Sequence, residues 1–274
     1  MGIGYEFLFQ KNCPYIIFTS YEMCLSLDAM STSPSIRLYV DAPLSAGGEV
    51  SLSKDQSHYL TSVMRVKDGD ALALFNGEDV EWRAEIELIS KKKAVVHPKE
   101  QTRIQSIMPD IWLAFAPIKH GGIDFLAQKA TELGVSGLLP VRTKHTIVSR
   151  VNEERLYANA VEAAEQSERI DVPKVAEYQT LDELISRWDE NRPLLFGDET
   201  MSADAVHKVL QRLTPRAALG VLIGPEGGFS EEELAMLRAL PYSHGITLGP
   251  RVLRADTAAL AALTAVQLTL GDWM

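Results

Sequence analysis

From about residue 108 onward, short apolar runs alternate with helix-like segments, and this alternation restricts the possible folds more than any other feature. The runs IWLAFAPI, LLPVRT, PLLFGDE, VLIGPEGG and ITLGP are separated by segments such as GIDFLAQKATELGV and NEERLYANAVEAAEQSERI. Strand and helix alternating in this way predict an α/β fold, with a mainly parallel sheet covered by helices on both faces. Such sheets bind ligands at the C-terminal ends of their strands, so we expect the functional site there.

The preceding part of the chain has a different pattern. The runs IRLYV, DALALFNG, VEWRAEIEL and KAVVHP are separated by Gly, Asp and Asn turn signals, which predicts a small β-rich domain over residues 34–105, followed by the α/β domain over 106–274. Between these strands, SKDQSHYLTSVMRVKDGD is expected to form a helix or turn with Tyr59, Leu60, Val63 and Met64 on one face. Residues 1–33 show no sustained period, and we expect a poorly ordered N-terminal extension there.

Composition excludes several classes of protein. The chain has 274 residues, 46% of them hydrophobic, which suits a globular fold of one large or two small domains. Its two cysteines, Cys13 and Cys24, and its six histidines have no metal-ligand spacing, so we expect no metal site and a reducing, cytoplasmic setting. The apolar runs are too short for a membrane span. The net charge of -10 argues against broad nonspecific binding of nucleic acid but allows a local basic patch.

Three strand ends are candidates for one binding site: Phe196-Gly197-Asp198, Gly224-Pro225-Glu226-Gly227-Gly228 and Leu248-Gly249-Pro250-Arg251. Glycine permits close backbone approach and proline fixes a turn, so these loops can offer main-chain groups to a flat heterocycle. The first two can also be plain turns. The middle loop lacks the Gly-Lys-Ser/Thr ending of a phosphate cradle, and Glu226 would repel a phosphate. We therefore expect a neutral or partly cationic ligand.

The segments that follow these loops are expected to be helices. Ser230 and Glu233 have the spacing of a capping box, which predicts a helix beginning directly after the middle loop. The C-terminal segment is apolar on nearly every side, which predicts a helix buried in this subunit or against another. We expect that helix to begin near Asp256 or Thr257, with Asp256 as its cap. Arg251 and Arg254 precede it as two cations beside the glycine loops.

Two of these segments carry a family resemblance. IGPEGGFSEEEL followed by LGPRVLRADTAALAAL resembles the RsmE family of ribosomal small-subunit RNA methyltransferases, which belongs to the SPOUT superfamily. QKATELGV, AVEAAEQSERIDVPKV and HYLTSVMRVKDGD resemble motifs of the same family in the same order. The resemblance extends over about residues 36 to 270 and implies a PUA-like β-barrel, an α/β domain with a deep trefoil knot, and a homodimer.

The resemblance also implies a cofactor and a reaction. The cofactor is S-adenosylmethionine, whose cationic sulfonium matches the loop chemistry, and the reaction is methylation of N3 of a uridine in 16S rRNA. Among the charged side chains near the motifs, Arg254 is the first candidate to stabilise the developing anion, with Glu226 and Asp256 as further catalytic candidates. Asp256 stands where the family more often has Glu, so the charge is kept on a side chain with a shorter reach. By motif, the cofactor contacts fall on Leu195, Phe196, Gly197, Ile223, Gly224, Pro225, Glu226, Gly227, Gly228, Leu248, Gly249, Leu253 and Arg254.

RNA binding requires a basic patch only where the backbone of the RNA runs. His58 and Arg65 lie within the resembling motif and rank highest. Taken one at a time, most of the basic residues named below are equally well explained as ordinary surface charges. For the function of the whole protein, two alternatives to an rRNA uridine methyltransferase remain. One is a methyltransferase of the same superfamily acting on tRNA or on another base atom, and the other is an RNA-binding assembly protein without catalysis. The RNA-binding candidates are Arg37, His58, Arg65 and Lys67 in the small domain, and Lys119, Lys129, Arg142, Lys144 and Arg150 in the large one.

Overall fold

The structure, a computed structural model, describes residues 34, 36–90, 93–103, 108–118, 122–200 and 203–273. The expected N-terminal extension, residues 1–33, lies outside these ranges, as does Lys119.

The first part of the described chain forms a five-stranded sheet with the strand order β1-β3-β4-β5-β2. The pairs are antiparallel except β1 with β3, which run parallel. Along β4, buried Trp82, Ala84 and Ile86 alternate with exposed charged residues, so one face of the sheet carries the core. The predicted β-rich segment is thereby confirmed. The strands are β1 (Arg37–Tyr39), β2 (Val50–Ser51), β3 (Ala71–Phe75), β4 (Glu81–Ser90) and β5 (Lys93–Arg103).

The helical segment between β2 and β3 differs from the expected single face. Helix α1 (Lys54–His58) runs directly into a π-helical turn (Tyr59–Val63), in which Met64 N donates to Tyr59 O at 3.0 Å. The wider turn shifts the residues after it around the helix axis. Leu60 is buried as predicted. Val63 is 61% exposed and Met64 is also exposed, so the prediction was wrong for these two side chains.

The second sheet has eight strands, and every pairing in it is parallel. The order is β11-β13-β10-β12-β6-β7-β8, with β9 pairing to β7. This confirms the parallel sheet expected from the alternating pattern. The strands are β6 (Ile111–Phe115), β7 (Gly137–Arg142), β8 (Lys174–Val175), β9 (Gln179–Thr180), β10 (Leu194–Gly197), β11 (Asp204–Ala205), β12 (Leu219–Ile223) and β13 (Ser243–Thr247).

Helices cover both faces of this sheet, as successive strand residues show. Leu195 and Val221 pack in one cluster with helices α2, α3 and α7, while Phe196 and Leu222 pack in another with α4 and α6. Strand residues that point to both sides are thus buried, as expected for a parallel sheet between two helical layers. The helices are α2 (Gly122–Glu132), α3 (Glu153–Gln166), α4 (Leu181–Ser186), α5 (Val206–Leu210), α6 (Glu231–Ala239) and α7 (Ala255–Thr269).

The described residues include neither a membrane-spanning helix nor a metal-binding cluster. None of the helices in these ranges is long and apolar enough to cross a membrane. In the same part of the chain, no three His, Cys, Asp or Glu side chains are grouped so that they could hold a metal ion.

Candidate functional site

The three glycine-containing strand ends lie side by side at one edge of the parallel sheet. β10 is the central strand of the three, with β13 on one side and β12 on the other. The three strands end at nearly the same level of the sheet, since Gly197 lies opposite Ile246 and Phe196 lies opposite Leu222. The loops that follow Gly197, Ile223 and Thr247 therefore leave the sheet together, as the sequence predicted.

The strand residues expected at this site face away from it. The side chains of Leu195 and Phe196 are fully buried in the two hydrophobic clusters, on opposite faces of the sheet. Ile223 is also buried in the core. Any ligand at this edge would consequently meet the main chain of these residues and the glycine loops, which agrees with the expectation of recognition by backbone groups.

The loop from Gly224 to Gly228 is shaped by its glycines. Gly228 has a φ of +67° and its N–H donates to Pro225 O at 2.9 Å, which closes a tight turn. A Cβ at Gly224 would lie 3.1 Å from the ring of Phe229, whose buried side chain anchors the loop. Glycine is favoured at these positions, because an L side chain would be strained at the positive φ of Gly228 and crowded by the Phe229 ring at Gly224.

Two side chains outside the motifs contact this loop, and sequence reasoning missed both. His145, which follows β7, places its Nδ1 3.0 Å from Gly227 O and 3.2 Å from Gly228 O. The carboxylate of Glu199, which follows β10, lies against Gly228 on the side where a Cβ would point. For Glu199 the available signal was its place directly after the Phe196-Gly197-Asp198 strand end. No pattern in the sequence marks His145.

Asp198 links two elements of the site. Its side chain is 2% exposed and accepts from Arg238 Nη2 at 2.6 Å and from Thr200 Oγ1 at 2.6 Å. Burial acts to raise the pKa of this carboxyl, but the hydrogen bonds from Thr200 and Arg238 outweigh it and hold the pKa below its ordinary value. The charged carboxylate therefore fixes the end of β10 to helix α6.

Helix α6 begins directly after the middle loop, as the capping-box pattern predicted. Ser230 Oγ accepts from Glu233 N at 3.2 Å, and Glu233 Oε2 accepts from Ser230 N at 2.8 Å. Hydrogen bonding to Lys144 is the main cause that lowers the pKa of Glu232 to about 2. The carboxylate of Glu232 in the first turn of α6 is thus ionised and paired with Lys144.

The third loop presents an open, cationic edge. Gly249 has a φ of +112°, and a Cβ built there would meet nothing within 4 Å, so the position faces open space. Leu248 is partly buried against the core, and Leu253 is half-buried. Arg251 and Arg254 are exposed, and the guanidinium of Arg254 has no hydrogen-bond or ion-pair partner among the described residues. This arginine can therefore meet an anionic group.

The expected capping role of Asp256 is wrong. Helix α7 begins at Ala255 with Arg254 at the N-cap position, and that cap makes no side-chain hydrogen bond. Asp256 lies inside the first turn, where its Oδ1 accepts from Thr257 N at 2.6 Å. Its carboxylate can stabilise the positive end of the helix dipole from this position, but the predicted N-cap geometry is absent.

The candidate RNA-binding residues have very different surroundings. His58, Arg65 and Lys67 are exposed beside the exposed side chains of Val63 and Met64, and Arg65 has a φ of +55°. Arg142 is exposed at the end of β7 and lines a groove of about 740 Å³ beside the first turn of α6. Two lysines are already paired, because Lys129 Nζ lies 2.7 Å from Glu132 and Lys144 Nζ lies 3.0 Å from Glu232.

Arg37 is not a surface cation, which corrects the expectation for this residue. Its side chain is 9% exposed, and its guanidinium lies 2.8 Å from Glu81 and 4.6 Å from the centre of the Phe75 ring. Its remaining N–H groups donate to the carbonyl oxygens of Ala164, Glu165 and Arg169. All five donors are used, so none is left for an RNA phosphate. Arg37 instead ties the five-stranded sheet to the end of α3.

Comparison with known proteins agrees with this architecture. A family model described as an RNA methyltransferase domain matches residues 105–267, and one described as an RNA methyltransferase PUA domain matches residues 52–99. Ribosomal RNA small subunit methyltransferase E of Rickettsia conorii is 32% identical over 233 residues, covering 85% of this chain and 95% of the relative. The chain belongs to the RsmE family. The RsmE protein of Bacillus subtilis is 29% identical, covering 81% of this chain and 92% of its own.

A solved RsmE structure has the same fold. The crystal structure of the Neisseria gonorrhoeae protein, bound to S-adenosyl methionine, superposes with a TM-score of 0.79 at 28% identity and covers 87% of this chain and 99% of its own. A methyltransferase from Legionella pneumophila, in complex with the same cofactor, superposes with a TM-score of 0.75 at 29% identity, covering 85% of this chain and 96% of its own. The RsmE resemblance of the loop motifs is thereby confirmed at the level of the family.

Proposed function

We propose that the protein transfers a methyl group from S-adenosylmethionine to N3 of a uridine in the 16S rRNA of the small ribosomal subunit. The observation that carries the proposal is the convergence of three glycine-containing strand ends at one sheet edge, in a chain of the RsmE family. The relatives are named ribosomal RNA small subunit methyltransferase E, and the Neisseria protein binds this cofactor.

The residues at the sheet edge suit S-adenosylmethionine. The main chain of Leu195–Gly197, Ile223–Gly228 and Leu248–Gly249, with Leu253 and Arg254, offers donors and acceptors for a flat adenine and for polar groups. Open space lies at Gly249. The carboxylates of Glu199 and Glu226 are exposed close to the loop and complement a sulfonium cation. A phosphate-containing cofactor would be repelled by the same groups.

The proposal also includes the finer features of the family fold. These are a closed PUA-like barrel over residues 34–105, a deep trefoil knot within 106–274, residues 1–33 as an extension, a homodimer and a cytoplasmic setting. The surface of α7 supports the dimer, because Leu268 is 58% exposed and its neighbours Ala261 and Ala265 are only partly buried. An apolar helical surface of this kind is stabilised by a second subunit.

The chemistry follows from the substrate atom. N3 of uracil carries a proton and takes part in base pairing, so the base must be unpaired or flipped out before it can react. Bound S-adenosylmethionine supplies an activated methyl group, and transfer breaks its sulfur–carbon bond and forms a bond from carbon to N3 while the N3 proton leaves. Arg254 stabilises the negative charge that develops on N3 and O4. Water or a carboxylate of Glu226 or Asp256 accepts the proton.

The RNA is proposed to contact two basic surfaces. In the small domain, His58, Arg65 and Lys67 are exposed, as are Val63 and Met64 between them in the sequence. This segment offers cations for phosphates and apolar side chains for unstacked bases. In the large domain, Arg142 lies beside the first turn of α6. Lys119 and Arg150 remain candidates on the sequence alone.

A mapping experiment tests the proposed reaction. Ribosomal RNA from cells that lack the gene should miss one methyl group on N3 of a uridine in 16S rRNA, and incubation with the purified protein and S-adenosylmethionine should restore it. A methyl group found on tRNA, ribose or carbon would favour the same superfamily with a different substrate. Failure of the protein to bind S-adenosylmethionine would favour an assembly protein without catalysis.

Single-turnover assays of Arg254→Lys on small subunits from such cells test the proposed role of this arginine. Lysine keeps the charge but loses the planar fork, so the methylation rate should fall far more than cofactor affinity. The wild-type rate should rise with pH as the imide ionises. A Lys variant that reacts at the wild-type rate would show that the planar guanidinium of Arg254 is not needed for catalysis.

A further inference from the structure

The side chain of His145 joins two loops at the proposed cofactor site. Its Nδ1 lies 3.0 Å from Gly227 O and 3.2 Å from Gly228 O, both in the middle glycine loop. Carbonyl oxygens only accept hydrogen bonds, so Nδ1 carries the proton and donates to them. A Cβ on Gly227 would lie 3.3 Å from His145 Cβ, which shows how closely the histidine packs on the glycine.

The loop that carries His145 is itself held in place. Thr143 N donates to Thr146 Oγ1 at 2.9 Å, and Thr146 N donates to Thr143 O at 3.1 Å, which closes a turn around the histidine. Lys144 N donates to Glu233 Oε1 at 2.7 Å, while Lys144 Nζ lies 3.0 Å from Glu232. These contacts attach the turn to helix α6, so His145 is a fixed donor.

The middle loop has one internal backbone hydrogen bond, from Gly228 N to Pro225 O, but three of its five residues are glycines. Gly224, Gly227 and Gly228 allow many backbone conformations, and a loop that must be ordered when a ligand binds loses affinity. The hydrogen bonds of His145 engage two successive carbonyl groups of this loop. They restrain the loop in one conformation before any ligand arrives.

We propose that His145 is a positioning residue that pre-orders the glycine loop for S-adenosylmethionine. The proposal rests on the proposed function, because it assigns His145 to the same cofactor site. The histidine acts through Gly227 and Gly228 and contributes to the affinity for the cofactor, while the rate of methyl transfer at saturating cofactor does not depend on it.

Three variants test this role. His145→Ala removes the donor, His145→Asn keeps an N–H group close to the Nδ1 position, and His207→Ala removes an exposed histidine on α5 as a matched control. We expect His145→Ala to weaken S-adenosylmethionine binding in calorimetry about tenfold, on the order of 1.4 kcal/mol. KM for the cofactor should rise by a similar factor with kcat within about twofold of wild type, consistent with an effect on binding alone. His145→Asn should recover most of the affinity, and His207→Ala should match wild type.

Hydrogen exchange provides a readout that needs no cofactor. In the cofactor-free protein, the amides of residues 224–229 should exchange faster in His145→Ala than in wild type, and His145→Asn should restore slow exchange. Unchanged exchange, or unchanged cofactor affinity, in a folded His145→Ala protein would overturn the proposal. If wild type binds no S-adenosylmethionine while exchange still responds to His145→Ala, the proposed function and the cofactor role fail together, and only the loop contact stands.

Discussion

At the scale of single residues, the glycine loop shows why residue identity is restricted at this site. Gly228 has a positive φ, which L side chains rarely adopt, and it also lies against the flexible end of the Glu199 side chain. In the sequence, glycine at this position indicates close approach of a ligand to the backbone. The structure adds an internal reason, because a side chain here would strain the turn and displace Glu199 before any ligand binds.

Gly228→Val should abolish S-adenosylmethionine binding. A β-branched residue at a positive φ introduces local strain of roughly 1–2 kcal/mol, and the loop would move to relieve it. Calorimetry should show no binding, while circular dichroism should match wild type because the loop lies outside the core. If the variant binds the cofactor with wild-type affinity, the loop is a structural turn and does not form part of the cofactor site.

Asp256 can be tested for the value of its charge. At an internal position of the first turn, Asp256→Asn removes the interaction with the helix dipole and should cost about 0.5 kcal/mol of unfolding free energy. Urea unfolding measures this change, and single-turnover methylation is measured beside it. A large loss of methylation rate with nearly unchanged stability would assign the carboxylate to the reaction. If Asp256→Asn and wild type react at equal rates, the carboxylate serves only to stabilise the helix.

At the scale of elements, the site depends on contacts that connect strand ends to helices. Asp198 at the end of β10 is bound to Arg238 of α6, and Glu233 of α6 is bound to the loop after β7. Elements also affect exposure. The π-helical turn after α1 contains Val63 and ends at Met64, and both side chains are exposed. The contacts of Asp198 with Arg238 and of Glu233 with Lys144 each join residues on different elements, and each arranges groups around the candidate site.

The Asp198 contact should make stability depend on pH. Because the pKa of Asp198 is lower in the folded protein, its carboxylate stabilises the fold above the ordinary value of 3.8, and this contribution is lost as pH falls through the lowered pKa. Asp198→Asn should therefore cost about 1–2 kcal/mol of unfolding free energy near pH 7, since Arg238 is partly exposed. In urea unfolding series, the difference from wild type should shrink below pH 4. A difference that is constant with pH would contradict the assignment.

At the scale of the whole molecule, a buried charge cluster connects the five-stranded sheet to the larger domain. Arg37 of β1 binds Glu81 of β4 and the carbonyl oxygens at the end of α3. Beside it, Phe75 packs in an apolar cluster with Ala164 and Ile170. The two sheets are thereby joined by Arg37, by a small apolar contact, and by two further hydrogen bonds. In these, Arg103 Nη1 donates to Glu168 O and Tyr39 N donates to Glu165 Oε1, each at 2.9 Å.

Arg37→Ala should destabilise the protein. It leaves the buried carboxylate of Glu81 without its main partner, which costs about 3 kcal/mol, although Arg103 at 3.7 Å and Thr102 compensate in part. Urea unfolding measures the loss. Arg65→Ala is the matched control, because this exposed arginine should change stability by less than about 0.5 kcal/mol while weakening RNA binding. The reverse pattern, with Arg37→Ala stable but deficient in RNA binding, would restore Arg37 to the RNA surface.

Local patterns in the sequence predict the alternation of the main strands with helices, the parallel sheet and the glycine loops at its edge. Hydrophobic period, turn residues and the capping box of Ser230 are local signals, read from residues a few positions apart. The RsmE motifs are local in the same sense.

Which charged side chains remain free depends on long-range contacts in the folded chain. Arg37 and Ala164 are 127 positions apart in the chain, and His145 and Gly227 are 82 apart, so no local pattern predicts that they meet. Whether an arginine binds RNA or fills its donors internally depends on what the packed sheets and helices place beside it. Composition and motif alone give Arg37 and Arg65 the same chemistry, and it is folding that buries the first and exposes the second.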